Sequence, residues 1–192
     1  KGLKMYPMDN SMIKNKALAL SNLKKYDEAI VWWDKSLKIE PNVVNVMTDK
    51  ATTLAALKKY EEAIVCYDDA LKIEPKYAAA LSNKGNVLNN LGRHDEAIVW
   101  HDKALAIEPQ LVFSLNRKGV SLVDLGRCDE AIVCYDKALA IDPRHVDSLN
   151  DKGIALMALQ KYDEAIVCFD DALKIEPKYA AALSNKGRVL DN

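Results

Sequence analysis

Six prolines divide the chain into equal intervals. The interval is constant from each proline to the next: Pro7, Pro41, Pro75, Pro109, Pro143 and Pro177. A fixed period in the range of roughly 20–50 residues indicates a repeat array, in which each repeat packs on its neighbours because it cannot bury its apolar face alone. The period predicts the end of one repeat (1–9), five full repeats (10–43, 44–77, 78–111, 112–145 and 146–179) and the first helix of a further repeat (180–192). The partial repeats at both ends lead us to expect a fragment of a longer array.

The apolar pattern within each repeat is helical. In the third repeat, apolar or small residues are spaced by four, three and three positions: Leu81, Gly85, Leu88 and Leu91,. Gly92 follows, and glycine favours the positive φ that ends many helices. Asp95 and Glu96 suit the positive end of a second helix dipole, and Pro109 stops that helix,. Each repeat is therefore predicted to form two helices.

Small and large residues recur at fixed positions. The small ones are Ala29, Ala63, Ala97, Ala131 and Ala165, then Ser36, Ala70, Ala104, Ala138 and Ala172, and on the first helix Ala17, Ala51, Gly85, Gly119 and Gly153. The large ones are Trp33, Tyr67, His101, Tyr135 and Phe169. Small side chains let two helix backbones approach closely, so a larger residue there would overpack the contact. We expect the large residues to fill the space between the helices.

This pattern resembles the tetratricopeptide repeat (TPR) family. In the third repeat the matching residues are Leu81, Gly85, Leu88, Ala97, His101, Ala104 and Pro109, and the other repeats match in phase. The resemblance implies an all-α fold, an α-solenoid of antiparallel helix pairs that forms a right-handed superhelix with a concave groove. One departure is a lysine where the family has an apolar residue: Lys16, Lys50, Lys84, Lys118, Lys152 and Lys186.

The resemblance also implies that the first helix of each repeat lines the groove. The candidate peptide-binding residues carried over in this way are Lys14, Asn15, Asp49, Asn83, Asn86, Asn90, Asn116, Arg117, Asn150, Asp151 and Asn185, with Phe113, Val120, Asp124 and Ile154 on the same helices. An asparagine amide offers two donors and an acceptor, which suits the backbone of an extended peptide. The alternative is that these asparagines are only tolerated polar residues on a solvated face. A carboxylate clamp for chaperone C-termini is disfavoured, because Leu18 and Asp49 replace two of its asparagines.

Composition and spacing exclude several other classes of function. The chain has 27 Lys+Arg against 28 Asp+Glu, a balance that argues against nucleic-acid binding,. Its apolar runs are too short to cross a membrane, and its four sparse cysteines favour a reducing compartment such as the cytoplasm,. His94 and His101 would lie roughly 10 Å apart along a helix, too far to share a metal. We expect both to be core residues, and we expect no catalytic residues and no cofactor.

The leading functional prediction is a non-enzymatic scaffold that binds a peptide or protein segment in the concave groove. One alternative is a structural array that associates head to tail through its ends. Another is an accessory region of a larger enzyme. A stripe of five valines on the second helices, Val31, Val65, Val99, Val133 and Val167, runs beside Trp32, Cys66, Trp100, Cys134 and Cys168. We expect this stripe to be core or semi-buried.

Overall fold

The computed structural model describes residues 9–190. Within this range all regular structure is helical, and the eleven helices are α1 Asn10–Asn22, α2 Tyr26–Ile39, α3 Val44–Ala56, α4 Tyr60–Ile73, α5 Ala78–Asn90, α6 His94–Ile107, α7 Val112–Asp124, α8 Cys128–Ile141, α9 Val146–Ala158, α10 Tyr162–Ile175 and α11 Ala180–Leu190. Each predicted repeat that lies wholly in this range contains two of them. The predicted all-α fold of consecutive helix pairs is confirmed.

The contacts divide the chain into two bodies, and the division falls within α5. In the N-terminal body, up to Val87, α1 pairs with α2 and α3 pairs with α4, α2 packs on α3, and α1 lies beside α3. In the C-terminal body, from Leu88, α7 pairs with α8 and α9 pairs with α10. Here α7 lies beside α9, and α9 lies beside α11, so the first helices of successive repeats form one layer.

The turn between the two helices of a repeat has the same backbone conformation each time. Its central residue has a positive φ of 59 to 75°, at Lys24, Lys58, Gly92, Gly126 and Gln160. In the fourth repeat the Arg127 N–H donates to the Leu122 carbonyl at 2.8 Å, the six-to-one bond of a Schellman motif,. Glycine adopts this conformation without strain, whereas the lysines and the glutamine adopt it at a cost.

The packing predicted for the small and large residues is confirmed. The five alanines from Ala29 to Ala165 are fully buried, and so are Trp33, Tyr67, His101, Tyr135 and Phe169. At Gly153 the approach is especially close, because a Cβ built there would lie 2.5 Å from Cε1 of Phe169. Gly119 meets the ring of Tyr135 in the same way. In these two repeats the aromatic side chain of the second helix therefore rests on the backbone of the first.

Five of the six unexpected lysines pair with an aspartate of the preceding second helix. The pairs are Lys50–Asp34 at 2.7 Å, Lys118–Asp102 at 2.5 Å, Lys152–Asp136 and Lys186–Asp170 at 2.6 Å, and Lys84–Asp68. In every pair the lysine follows the aspartate by the same number of positions, a recurrence that could have been read from the sequence. Each lysine stem lies between two hairpins while its ammonium reaches an aspartate near the surface. Such pairs contribute roughly 0.2–1 kcal/mol each. They therefore add little to the stability of the fold, and their main effect is on how neighbouring helix pairs are positioned.

The prediction that the valine stripe is buried is wrong for the valines themselves. All five are exposed, by 51 to 59% of their surface. Trp32, Trp100 and Cys66 beside them are half-buried, and only Cys134 and Cys168 are buried. The reason is the helical phase. Each valine directly precedes its tryptophan or cysteine neighbour, and one residue on a helix turns a side chain by about 100°, here away from the first helix. All four cysteines are free thiols, and burial raises the pKa of Cys66, Cys134 and Cys168.

Candidate functional site

Polar side chains join the first helices of the C-terminal body. Asn116 on α7 donates through Nδ2 to Oδ2 of Asp151 on α9 at 2.9 Å. Asn150 Nδ2 donates to the other oxygen of Asp151 at 3.2 Å, and Asn185 Nδ2 on α11 donates to Asn150 Oδ1 at 3.0 Å. We call Asn116, Asn150, Asp151 and Asn185 the amide ladder. It links three helices that belong to three successive repeats.

Two of the predicted asparagines are buried within this ladder. Asn116 is 2% exposed and Asn150 is 4% exposed. The Asn116 amide N–H and the Asn150 amide oxygen are used between helices, whereas the Asn150 amide N–H donates to Asp151 on its own helix. Burial raises the pKa of Asp151, while the hydrogen bonds from Asn116 and Asn150 act in the opposite direction. Replacing either asparagine with alanine would remove a partner from this partly desolvated carboxylate. Asp151 and Asn185 are half-buried and keep surface that a ligand can reach.

Arg117 lies on the same face as the ladder. Its guanidinium carbon is 5.4 Å from the ring centroid of Phe113, an exposed aromatic residue one turn earlier on α7. Within residues 9–190, the Nε atom of Arg117 is buried and has no hydrogen-bond partner. This face therefore carries a guanidinium held close to an aromatic ring.

The predicted groove residues of the N-terminal body are less closely linked. Lys14 pairs with Glu40, beyond the end of α2, at 3.0 Å, so its ammonium is already engaged. Asn15 and Asp49 are exposed, and Asn83 lies 3.5 Å from the Thr52 hydroxyl through its Nδ2. Asn86 is half-buried, and Asn90, in the C-terminal body, is exposed. Among the described residues, these side chains do not form a second ladder.

A cavity opens on the first-helix layer between α7, α8 and α9. Its volume is about 160 Å³, and its lining residues are Val120, Val123, Asp124, Tyr135, Asp151 and Ile154. The sequence identified Val120, Asp124, Asp151 and Ile154 as groove residues, but it assigned Tyr135 to packing alone and did not single out Val123. The signal that could have found the cavity is a difference between repeats, since Val120 occupies the position that Thr52 holds in the second repeat.

The three histidines have different roles. His101 is fully buried without a hydrogen-bond partner for either ring nitrogen, so the prediction of a core residue is confirmed there. For His94 it is wrong, because this half-buried ring lies 2.5 Å from Asn89 Oδ1 and 3.5 Å from Asp124 Oδ2. His145 caps α9, where its Nδ1 accepts a hydrogen bond from the Ser148 N–H at 3.2 Å.

The described residues hold neither a metal-binding cluster nor a membrane span. From residue 9 to residue 190, no three histidine, cysteine, aspartate or glutamate side chains are grouped as metal ligands would be. In the same part of the chain, no helix combines the length and the apolar character that a bilayer crossing requires,. Ordered polar groups, an exposed aromatic residue and one cavity make the first-helix layer the best candidate site.

Models of the tetratricopeptide repeat match residues 76–144 and 146–179, and a further one matches residues 15–43. A model described as TPR repeat matches residues 52–92. Together these matches cover most of the sequence. The chain belongs to the tetratricopeptide repeat family. It is a TPR scaffold, and this architecture is consistent with protein–protein interaction. No curated protein matches the chain significantly.

Solved structures of other TPR proteins share the fold. YrrB, described as a TPR protein with an unusual peptide-binding site, is 22% identical with a TM-score of 0.71, over 93% of this chain and 92% of that one. PilF of Pseudomonas aeruginosa is 18% identical with a TM-score of 0.84, over 95% of this TPR chain and 83% of that one. A thermophilic TPR protein of Thermus thermophilus is 17% identical with a TM-score of 0.79, over 96% of this chain and 100% of that one.

Proposed function

We propose that this TPR chain is a non-enzymatic scaffold that binds an extended peptide or protein segment on its first-helix layer. The observation that carries the proposal is the amide ladder with Arg117 beside it. Each Asp151 oxygen accepts one hydrogen bond from the ladder, and a carboxylate has room for about four,. Arg117 adds a cationic guanidinium on the same face, near the ring of Phe113. An extended backbone presents N–H and C=O groups in alternation. The N–H groups can donate to Asp151, and the C=O groups can accept from the Arg117 guanidinium.

The geometry of the layer favours an extended ligand. The ladder residues come from three adjacent helices, so their polar atoms follow the direction in which the repeats stack. Phe113 supplies an exposed ring for an apolar or cationic ligand group,. Because the ladder fixes its own side chains, little side-chain entropy remains to be lost when a ligand binds.

The test is selection of random linear peptides against the whole chain, followed by affinity measurement from fluorescence anisotropy. Arg117→Gln combined with Asn185→Ala removes one donor group and one ladder amide without emptying the core. We expect this double variant to weaken the selected peptides at least tenfold. Lys137→Gln, an exposed residue on the second helix α8, removes one positive charge away from the layer and should leave the affinity unchanged.

Circular dichroism of each variant controls for loss of helix. Equal binding by the wild-type chain and the double variant would contradict the proposal, and so would a selection that yields no peptide above background. Head-to-tail self-association stays a prediction, and it concerns ends that include residues outside the described range (1–8 and 191–192). An accessory role beside a catalytic domain also stays a prediction.

A further inference from the structure

The cavity between α7, α8 and α9 has a counterpart in the N-terminal body. There, two repeats earlier, the Tyr67 hydroxyl lies 3.0 Å from the Thr52 hydroxyl, and Asn83 Nδ2 lies 3.5 Å from the same oxygen. The equivalent residues around the cavity are Tyr135, Val120 and Asp151. Valine has nearly the shape of threonine but cannot form a hydrogen bond. The substitution therefore removes the partner that the phenol has in the second repeat.

The Tyr135 hydroxyl is left without a hydrogen bond from any residue that the structure describes. Tyr135 is 1% exposed and lines the cavity. The Tyr135 Oη is not one of the fully buried polar atoms without a partner in residues 9–190, so it reaches the space of the cavity. The next repeat carries Phe169 at the same position, equally buried, so packing alone does not require a hydroxyl there. The phenol is therefore free to bond to a group that enters the cavity.

The remaining walls define the chemistry of that group. Val120, Val123 and Ile154 present aliphatic surface, while Asp124 and Asp151 present carboxylates. Burial raises the pKa of Asp151, as expected for a carboxylate that lacks a cationic partner at hydrogen-bond distance,. The Arg117 guanidinium lies over Phe113, and its charge lowers the pKa of Asp151, against the larger effect of burial. Lys118 and Lys152, which are closer in sequence to the lining, pair with Asp102 and Asp136. An aliphatic stem that ends in a compact cation would match both the walls and the polar groups.

The volume sets the size of that group. At about 160 Å³ the cavity is close to the roughly 150 Å³ that holds a benzene-sized molecule in a protein core,. Four methylenes and an ammonium are of this order. A lysine ammonium carries three donors, and Tyr135, Asp124 and Asp151 supply three acceptors.

We propose that this cavity receives a lysine side chain of the bound segment, with its methylenes on Val120, Val123 and Ile154 and its ammonium among Tyr135, Asp124 and Asp151. This inference rests on the proposed function, because it names a side chain of the segment that the first-helix layer binds. It adds a sequence preference to an interaction that backbone contacts alone would leave non-selective.

The test uses three short peptides and the whole chain. The probes are acetyl-Ala-Ala-Lys-Ala-Ala-amide, the same peptide with norleucine, which keeps the stem without the ammonium, and the same peptide with acetyl-lysine. Binding is followed by two-dimensional ¹⁵N–¹H NMR. We expect the lysine peptide to shift the amide signals of Val120, Asp151 and Ile154 in a saturable way. The other two peptides should bind at least tenfold more weakly.

Two variants and one control separate the proposed contacts from general folding effects. Val120→Thr gives Tyr135 the partner that Thr52 gives Tyr67, and it should weaken the lysine peptide at least fivefold. Asp124→Asn, at an exposed carboxylate, should weaken it similarly. Tyr67→Phe removes the equivalent phenol from the N-terminal body and should change nothing. Unaltered dispersion of the remaining NMR signals shows that each variant is folded.

Several outcomes would overturn the inference. Norleucine binding as tightly as lysine would make the cavity a simple apolar pocket, and no shift at the three amides would exclude it as a site. If randomly selected peptides bind through Arg117 and Asn185 but show no lysine preference, the cavity proposal fails while the proposed function stands. If the double variant Arg117→Gln/Asn185→Ala binds those peptides normally, the proposed function fails whatever the pentapeptides do.

Discussion

Two glycines in equivalent helix positions should respond differently to the same substitution. A Cβ at Gly153 would lie 2.5, 2.7 and 3.0 Å from three carbons of the Phe169 ring, whereas a Cβ at Gly187 would meet nothing within 4 Å. Alanine stabilises a helix interior by roughly 0.5–1 kcal/mol relative to glycine. Overpacking a buried contact costs about 1–3 kcal/mol. Gly187→Ala should therefore stabilise the chain, and Gly153→Ala should destabilise it or leave it nearly unchanged.

The helix term is common to both variants, so it cancels when they are compared. The expected difference in free energy of unfolding is then the overpacking term alone, about 1–3 kcal/mol. Urea denaturation followed by circular dichroism at 222 nm measures it. With a slope of about 2 kcal/mol per molar urea, the two midpoints should differ by about 0.5–1.5 M.

A double-mutant cycle identifies the contact responsible. Phe169→Leu removes the ring that Gly153 faces, so Gly153→Ala should cost less in that background than in the wild-type chain. Equal midpoints for Gly153→Ala and Gly187→Ala would refute the reasoning. So would a Gly153→Ala cost that is unchanged by Phe169→Leu, because the ring could then not be its cause.

Three further variants test other parts of the fold. His101→Phe should remove a pH dependence, because burial lowers the pKa of His101 to about 4 from its ordinary 6.5 and the unfolded chain therefore binds more protons between these values. The wild-type chain should lose about 3 kcal/mol of stability as the pH falls from 6.5 towards 4, whereas the variant should not. Urea midpoints of both chains, measured across this pH range, check the expectation. Gln160→Gly should raise the thermal midpoint by relieving a φ of 60°, and an unchanged or lower midpoint would contradict this,. Thr53→Val should cost about 1–3 kcal/mol in chemical denaturation, because the buried Trp33 indole N–H donates to Thr53 Oγ1 at 3.2 Å, and an unchanged midpoint would contradict that role,.

Much of the fold could be predicted because its signals are local or strictly periodic. The turns follow from Gly92 and Gly126, and the same backbone is then imposed on Lys24, Lys58 and Gln160 by the packing of the repeats. The valine stripe was misjudged because a shift of one residue on a helix turns a side chain by about 100°. Apolar character alone does not reveal that shift.

The candidate site was only partly predictable. The sequence placed Asn116, Asn150 and Asp151 on one face, but it could not show that the two asparagines are buried against the aspartate. That arrangement depends on distances between helices of different repeats. The cavity depends on such distances as well, since its lining residues come from α7, α8 and α9.

By itself, the amino-acid order determined the repeat length, the helix pairs and the alternation of small and large contact residues. These properties depend on backbone preference and on the helical period, which act within one repeat. Only the tertiary structure decided which polar groups are used up between helices and which remain available to a partner. Hydrogen bonds and cavities join side chains that lie a whole repeat apart in the sequence, so their geometry exists only once neighbouring repeats have packed together.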